Sequence, residues 1–248
     1  MQTEAENQTP QPGPEPKRGP RHWGCMVALG VVLVVGRCGW IDLQTQVSEM
    51  HGGSSLAYVG VTLRQYAESE GMGLYPDGVH PEITSANALF RELFKAGIVT
   101  GDESGFTCRG SSFRADNVIG TAPDFAEAVA PGECHWMVLK HQSRSNHGKT
   151  PLIIENAEGT AWPPRWKRPA WWRAWLFGLE PKPRGFAWRN GLVIVGRIDG
   201  SMTLEKLRPD GTLDWHAKNN LDAHGKSWID HLTPEEVAKL GYWDVEER

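Results

Sequence analysis

The chain has 248 residues, a net charge of −4 and 23% charged side chains. That balance gives no electrostatic reason to expect nucleic acid as a partner, and four cysteines are too few for a disulfide scaffold. Without its first 40 residues the chain retains about 200, enough for one domain with insertions or a tail.

Residues 1–22 are rich in Pro, Gln and Glu and almost lack large apolar residues. Such a segment buries too little surface to offset its ordering entropy, so a disordered tail is expected. The stretch Gly24–Gly36 then carries no charge and is flanked by Trp23 and Trp40, with Lys17, Arg18 and Arg21 before it. A bilayer-spanning helix needs about 20 apolar residues, and Trp23–Ile41 reaches that length if Arg37 extends its stem toward the headgroups. The expectation is a transmembrane helix over 23–41, anchored through Val27, Leu29, Val31, Leu33 and Val35, with the basic flank and N-terminus in the cytoplasm. Two alternatives share the residues: a cleaved signal peptide, whose apolar core is shorter, and a buried helix of a soluble domain. The first two agree that the rest of the chain works outside the cytoplasm.

Residues 41–50 continue the helix outward, and HGGSS at 51–55 is expected to break or bend it, because each helical glycine costs about 1 kcal/mol. Leu56, Val59, Leu63 and Tyr66 or Ala67 share one helical face, and Gly71 ends it, with Tyr75 packing back. Thr84 or Ser85 caps a helix bearing Ala86, Leu89, Phe90, Leu93 and Phe94 and stopped by Gly97. A short strand at Phe106–Cys108 and a short helix at APDFAEAVA are expected.

Strands are predicted at 135–140 and 151–156. A hairpin is predicted from 192–198 and 201–207, turning at Asp199–Gly200, which readily adopts positive φ angles. Between the second and third strands lies an insertion, residues 161–188, with Trp162, Trp166, Trp171, Trp172, Trp175 and Trp188 among interleaved Arg and Lys. Its prolines leave room only for a short helix near 170–177. Residues 208–248 read as a C-terminal extension with a short helix started by Thr233, Pro234 and Glu236. The fold class is thus α+β: an outward helix packed on a small antiparallel sheet.

Candidate chemistry is sparse. Cys108 and Cys134 are the only cysteines beyond residue 41, either a disulfide in an oxidising compartment or lone buried thiols. Cys134 and His135 are neighbours that a strand would point to opposite faces, a poor nucleophile–base pair. His135, His141 and His147 lack metal-site spacing, as do Asp214, His216, Asp222, His224, Asp230 and His231. No phosphate loop or hydrolase motif is present, so neither catalytic residues, cofactor nor metal are expected. Trp166, Trp171, Trp172 and Trp175 are candidates for contact with a partner or lipid, with self-packing over a sheet edge as the alternative.

TLRQYAESEGMGLYPDG, NALFRELFKAGIVTGDESGFTCRGS and RNGLVIVGRIDGS together resemble passages of bacterial type IV pilin-like proteins, including type II secretion pseudopilins, over roughly residues 56–207. The resemblance implies a pilin-like fold on a single membrane anchor, a periplasmic domain and partners in secretion or pilus machinery. In some pseudopilins a C-terminal loop binds calcium, which would direct attention to Asp210 and Asp214. Three features differ: Arg189 stands where the family signature has histidine, ten positions before Asp199, and both the prepilin leader and the glutamate inside the apolar helix are missing. The resemblance therefore implies the fold more than polymerisation. A binding protein built on the same scaffold, and using the tryptophans to hold glycan or peptide, is the alternative.

Overall fold

The computed structural model describes residues 21–170 and 181–248, with backbone only at 21–35, 37, 38 and 41. Residues 1–20 of the expected tail, and Trp171, Trp172 and Trp175 with the short helix expected around them, lie outside the described residues. The chain divides into two compact units, Met1–Gly39 and Trp40–Arg248. The anchor residues Val27, Leu29, Val31, Leu33 and Val35 have helical backbone, and their side chains lie outside the described set. Among the described residues no helix is long and apolar enough to cross a membrane.

The protein is a mixed helix-and-sheet structure with one five-stranded antiparallel sheet. Helix α1 is Arg21–Ser69, α2 Pro76–Val79, α3 Ala86–Lys95 and α4 Pro234–Lys239. The strands are β1 Trp136–Leu139, β2 Ile153–Glu155, β3 Leu192–Gly196, β4 Met202–Lys206 and β5 Tyr242–Trp243, in the order β4-β3-β2-β1-β5. Every neighbouring pair is antiparallel. The segment expected as a C-terminal extension thus supplies an edge strand.

Helix α1 does not break at HGGSS; it runs through to Ser69. The reason is tertiary. A Cβ on Gly52 would stand 2.6 Å from Ile194 Cδ1 and 2.7 Å from Cys108 Sγ, and one on Gly53 would stand 3.0 Å from Met202 Cε. The glycines let α1 approach the sheet closely, and that packing outweighs their poor helix propensity. Further along, Leu56, Val59, Leu63, Tyr66 and Ala67 are buried, and the bare Cα of Gly196 on β3 accepts Leu56.

The register assigns the two sheet faces. Ile194 and Gly196 on β3, Ile153 on β2 and Trp136 on β1 face α1, consistent with the approach of Gly52 to Ile194 and Trp136 and of Gly60 to Ile153. Val193, Val195, Ile154, Met137, Leu139 and Tyr242 take the opposite face. There an aromatic group of Trp162, Trp215 and Trp228 meets Tyr242, with Trp162–Trp215 centroids 4.9 Å apart.

Local signals hold where backbone chemistry decides. Ser85 Oγ accepts from Ala88 N at 3.0 Å, capping α3, and Gly97 ends it at φ 68°. Thr233 and Glu236 form a capping box on α4, and Tyr75 is buried. Two expectations fail. Residues 104–106 form a 3-10 turn, with no strand at Phe106–Cys108. APDFAEAVA makes turns and no helix, with Phe125 and Val129 at φ 44° and 49°. The carbonyls of Ala128, Val129 and Ala130 instead accept from Arg91 and Asn87 of α3.

Candidate functional site at the helix–sheet junction

Glu155 ends β2 on the face beneath α1, and it is fully buried. An acidic side chain there needs compensation. The insertion supplies it: Lys182 Nζ lies 2.5 Å from Glu155 Oε2 and Trp188 Nε1 donates to Oε1 at 2.6 Å. Lys182 also sits 4.7 Å from the centre of the Trp188 ring. Burial alone would push the Glu155 carboxyl up, but Lys182 and His135 bring it below its ordinary value.

His135 extends the group. Its Nδ1 meets Ser111 Oγ at 2.8 Å and accepts from Asn156 Nδ2 at 2.9 Å, while Nε2 stands 3.7 Å from Glu155 Oε1, beyond hydrogen-bond length. With Nδ1 accepting, the proton belongs on Nε2, facing Glu155. Burial lowers the His135 pKa, so the ring is neutral at pH 7. Serine, histidine and carboxylate therefore stand in sequence, as in a hydrolase. All three are buried, Ser111 at 2% exposure and the other two at 0%, and Ser111 borders a surface cavity of about 430 Å³ that His51, Cys108 and Phe113 also line.

The same junction fastens α1. Asn190 Nδ2 donates to Glu49 Oε1 at 3.0 Å, and Arg189 Nη1 lies 2.8 Å from Asp42 Oδ1. Lower on the helix, Arg64 Nη2 donates to Ile198 O at 3.0 Å. The opposite sheet face has its own buried pair: Arg197 Nη2 lies 2.6 Å from Glu205 Oε1, with Asn219 donating to the same oxygen and Asn220 bonded to Arg197.

The hairpin turn differs in type from the expected tight Asp-Gly pair. Arg197 N donates to Ser201 O, so the loop is three residues, Ile198, Asp199 and Gly200. Only Gly200 has positive φ, at 81°, and its N–H donates to Arg197 O at 2.9 Å. This is a turn closed by a left-handed glycine, the usual three-residue solution. Asp199 Oδ1 accepts from Ser201 N, and Lys149 pairs with Oδ2.

Of the two cysteine readings, the structure has the free thiols. Cys134 Sγ points to Trp136 O at 3.2 Å, while Cys108 Sγ lies 3.8 Å from Ser48 O. Burial pushes the Cys108 thiol up to about 12 and the Cys134 thiol higher still. Trp166 is corrected as a contact residue: it is 2% exposed, and its Nε1 donates to Asn156 O at 3.0 Å. Trp188 is likewise buried, and Trp162 belongs to the aromatic group. The tryptophans of the insertion among the described residues pack inward.

Two groups gather oxygen or nitrogen ligands within 4.8 Å among the described residues: His147 with Asp222 and His231, and Glu103 with Asp116 and Glu133. Neither is visible from spacing. In the first, Asp222 Oδ2 lies 3.2 Å from His231 Nε2 and 3.7 Å from His147 Nε2, and the rings stack at 4.7 Å. Lys149 N donates to His147 Nδ1, so the neutral ring carries its proton on Nε2, toward Asp222. The His231–Asp222 bond and the stacked His147 ring together tie the tail to the loop of His147. His135 belongs to the helix–sheet junction, and His141 lines one cavity with His147 and His231 without joining the ligand group. Asp210 and Asp214 are spent on their own loops, accepting from Thr212 and from His216 N.

Comparison with family models, curated proteins and solved structures gives no match for this chain.

Proposed function

We propose that the protein is a non-enzymatic, membrane-anchored, pilin-like component or relative of a type II secretion or type IV pilus system. Trp23–Ile41 is the anchor in the inner membrane, and the domain from Asp42 onward is periplasmic. The observation that carries this reading is the unbroken helix Arg21–Ser69, apolar in sequence near its start and packed on an antiparallel sheet toward its end. Arg189, which departs from the signature the sequence resembles, pairs with Asp42 next to the proposed anchor.

The outward part of α1 also offers a surface for assembly. Trp40, Leu43, Met50 and Val61 are 62%, 51%, 74% and 64% exposed. With Val47, Ser54 and Ala57 they recur at alternating steps of three and four, the spacing of a helix–helix seam. A chain whose role was solitary would not need such a stripe. Cysteine placed at Met50 or Val61, oxidised in native membranes, is expected to crosslink to a second copy or to a secretion or pilus component. Only uncrosslinked monomer, with the chain itself present in the membrane, would count against assembly.

A further inference from the structure

The loops ahead of β1 hold two buried acids that the core does not need. Glu103 is 0% exposed and Glu133 1% exposed. One oxygen of each is used by backbone: Glu103 Oε1 accepts from Val129 N, and Glu133 Oε2 accepts from Ala130 N at 2.9 Å. Glu103 Oε2 has no hydrogen-bond partner, and among the described residues Glu103 forms no ion pair. Glu133 Oε1 lies 3.3 Å from Arg248, whose side chain is 65% exposed, and the Glu133 carboxyl also meets Asp116. Asp116, on the outer side, brings a third carboxylate, and the ligand atoms of all three lie within 4.8 Å of one another.

Burial raises the Glu103 carboxyl, and Glu133 and Asp116 raise it further; burial and then Asp116 raise Glu133. Three carboxylates this close do not all stay ionised unless a cation joins them. The donors are all oxygen, which disfavours zinc and copper and suits a hard ion. Calcium takes six to eight oxygens at about 2.3–2.6 Å in flexible geometry, and three carboxylates whose ligand atoms lie within 4.8 Å of one another can share one such shell.

We propose that Glu103, Asp116 and Glu133 form a calcium site that joins the loop of Glu103, the loop of Asp116 and the turn before β1. Glu103 Oε2 is the inner ligand and Asp116 the outer, exchangeable one. The ion would stiffen the segment over which Asn87 and Arg91 of α3 reach the carbonyls of residues 128–130.

The test uses full-length protein in detergent, stripped with EDTA and titrated with CaCl2 by calorimetry and thermal melting. One ion per chain is expected, with Kd at or below about 1 mM, as in extracytoplasmic modules. At a hundredfold excess over Kd, Tm should rise by roughly 5–10 °C. Glu103→Gln should abolish the heat and the Tm shift while leaving the calcium-free Tm equal to or above that of the parent. Asp116→Asn, at an exposed position that does not threaten folding, should weaken binding by about tenfold or more. No heat and no shift in the parent at about 10 mM CaCl2 would overturn the site, as would both variants binding like the parent.

Discussion

Replacing Lys182 by Met removes the cation from Glu155 while keeping an unbranched stem against Trp188. Glu155 is then a fully buried carboxylate with one remaining close donor, Trp188 Nε1 at 2.6 Å, and with Glu49 nearby as a second acid. Breaking one side of a buried pair costs about 3–5 kcal/mol. The double variant Glu155→Gln, Lys182→Met removes both charges and should recover most of that loss, to within about 1–2 kcal/mol of the parent. The pH dependence supplies a second readout. In the parent the Glu155 pKa is lowered, so its stabilisation is present above the unfolded value near 4.5 and is lost as pH falls through the folded value. In Lys182→Met burial dominates, the carboxyl is raised, and the variant gains stability as pH falls. The gap between the two should therefore narrow on acidification. Urea unfolding of full-length protein in detergent, followed by tryptophan fluorescence, measures both effects. A loss under about 1 kcal/mol at neutral pH, or a gap independent of pH, would refute the reasoning.

The glycines of α1 should respond oppositely to one substitution. Gly52→Ala forces a methyl against Ile194 and Cys108 in the core, and overpacking of about 1–3 kcal/mol should exceed a propensity gain of about 1. Gly53→Ala meets only the end of the exposed Met202 side chain and should be neutral or stabilising by about 0.5–1 kcal/mol in the same urea assay. In a background with Cys25→Ser and Cys38→Ser, native Cys108 and Cys134 should resist a thiol reagent at mildly alkaline pH and react only after unfolding; rapid native labelling would contradict their burial. In EDTA, the raised Glu103 and Glu133 contribute stability below about 4.5 that is lost as pH rises through their folded values, so Glu103→Gln should gain on the parent across that interval. Parallel melting curves at every pH would show that these acids are not strained.

What the sequence made legible was local. Ser85, Gly97 and the Thr233–Glu236 box fix helix ends through contacts within a few residues, and the apolar runs at 136–139, 153–155 and 192–196 are strands because their neighbours are turns. The reading failed where distant residues decided the outcome. Gly52 and Gly53 read as a break because only the later strands explain why a helix would carry them. Tyr242–Trp243 gives no strand signal of its own and pairs because β1 presents an open edge. At the junction, Glu155 and Lys182 look like ordinary surface charges in a linear scan. The available signal was an acid closing the apolar run PLII, which had to find a partner once buried. Trp166 reads like an interface residue until Asn156 O accepts its indole proton. The acids at 103, 116 and 133 meet only after three loops fold, and no spacing rule anticipates them.

The most direct test of the anchored-domain account is the fate of the full-length chain when bacterial membranes are washed with alkaline carbonate and the periplasmic side is opened to protease. The account requires the chain to stay with the inner-membrane pellet and to lose its Trp40–Arg248 domain to protease added from the periplasmic face. Recovery of intact chain in the cytosolic supernatant, or a domain digested only from the cytoplasmic face, would contradict it.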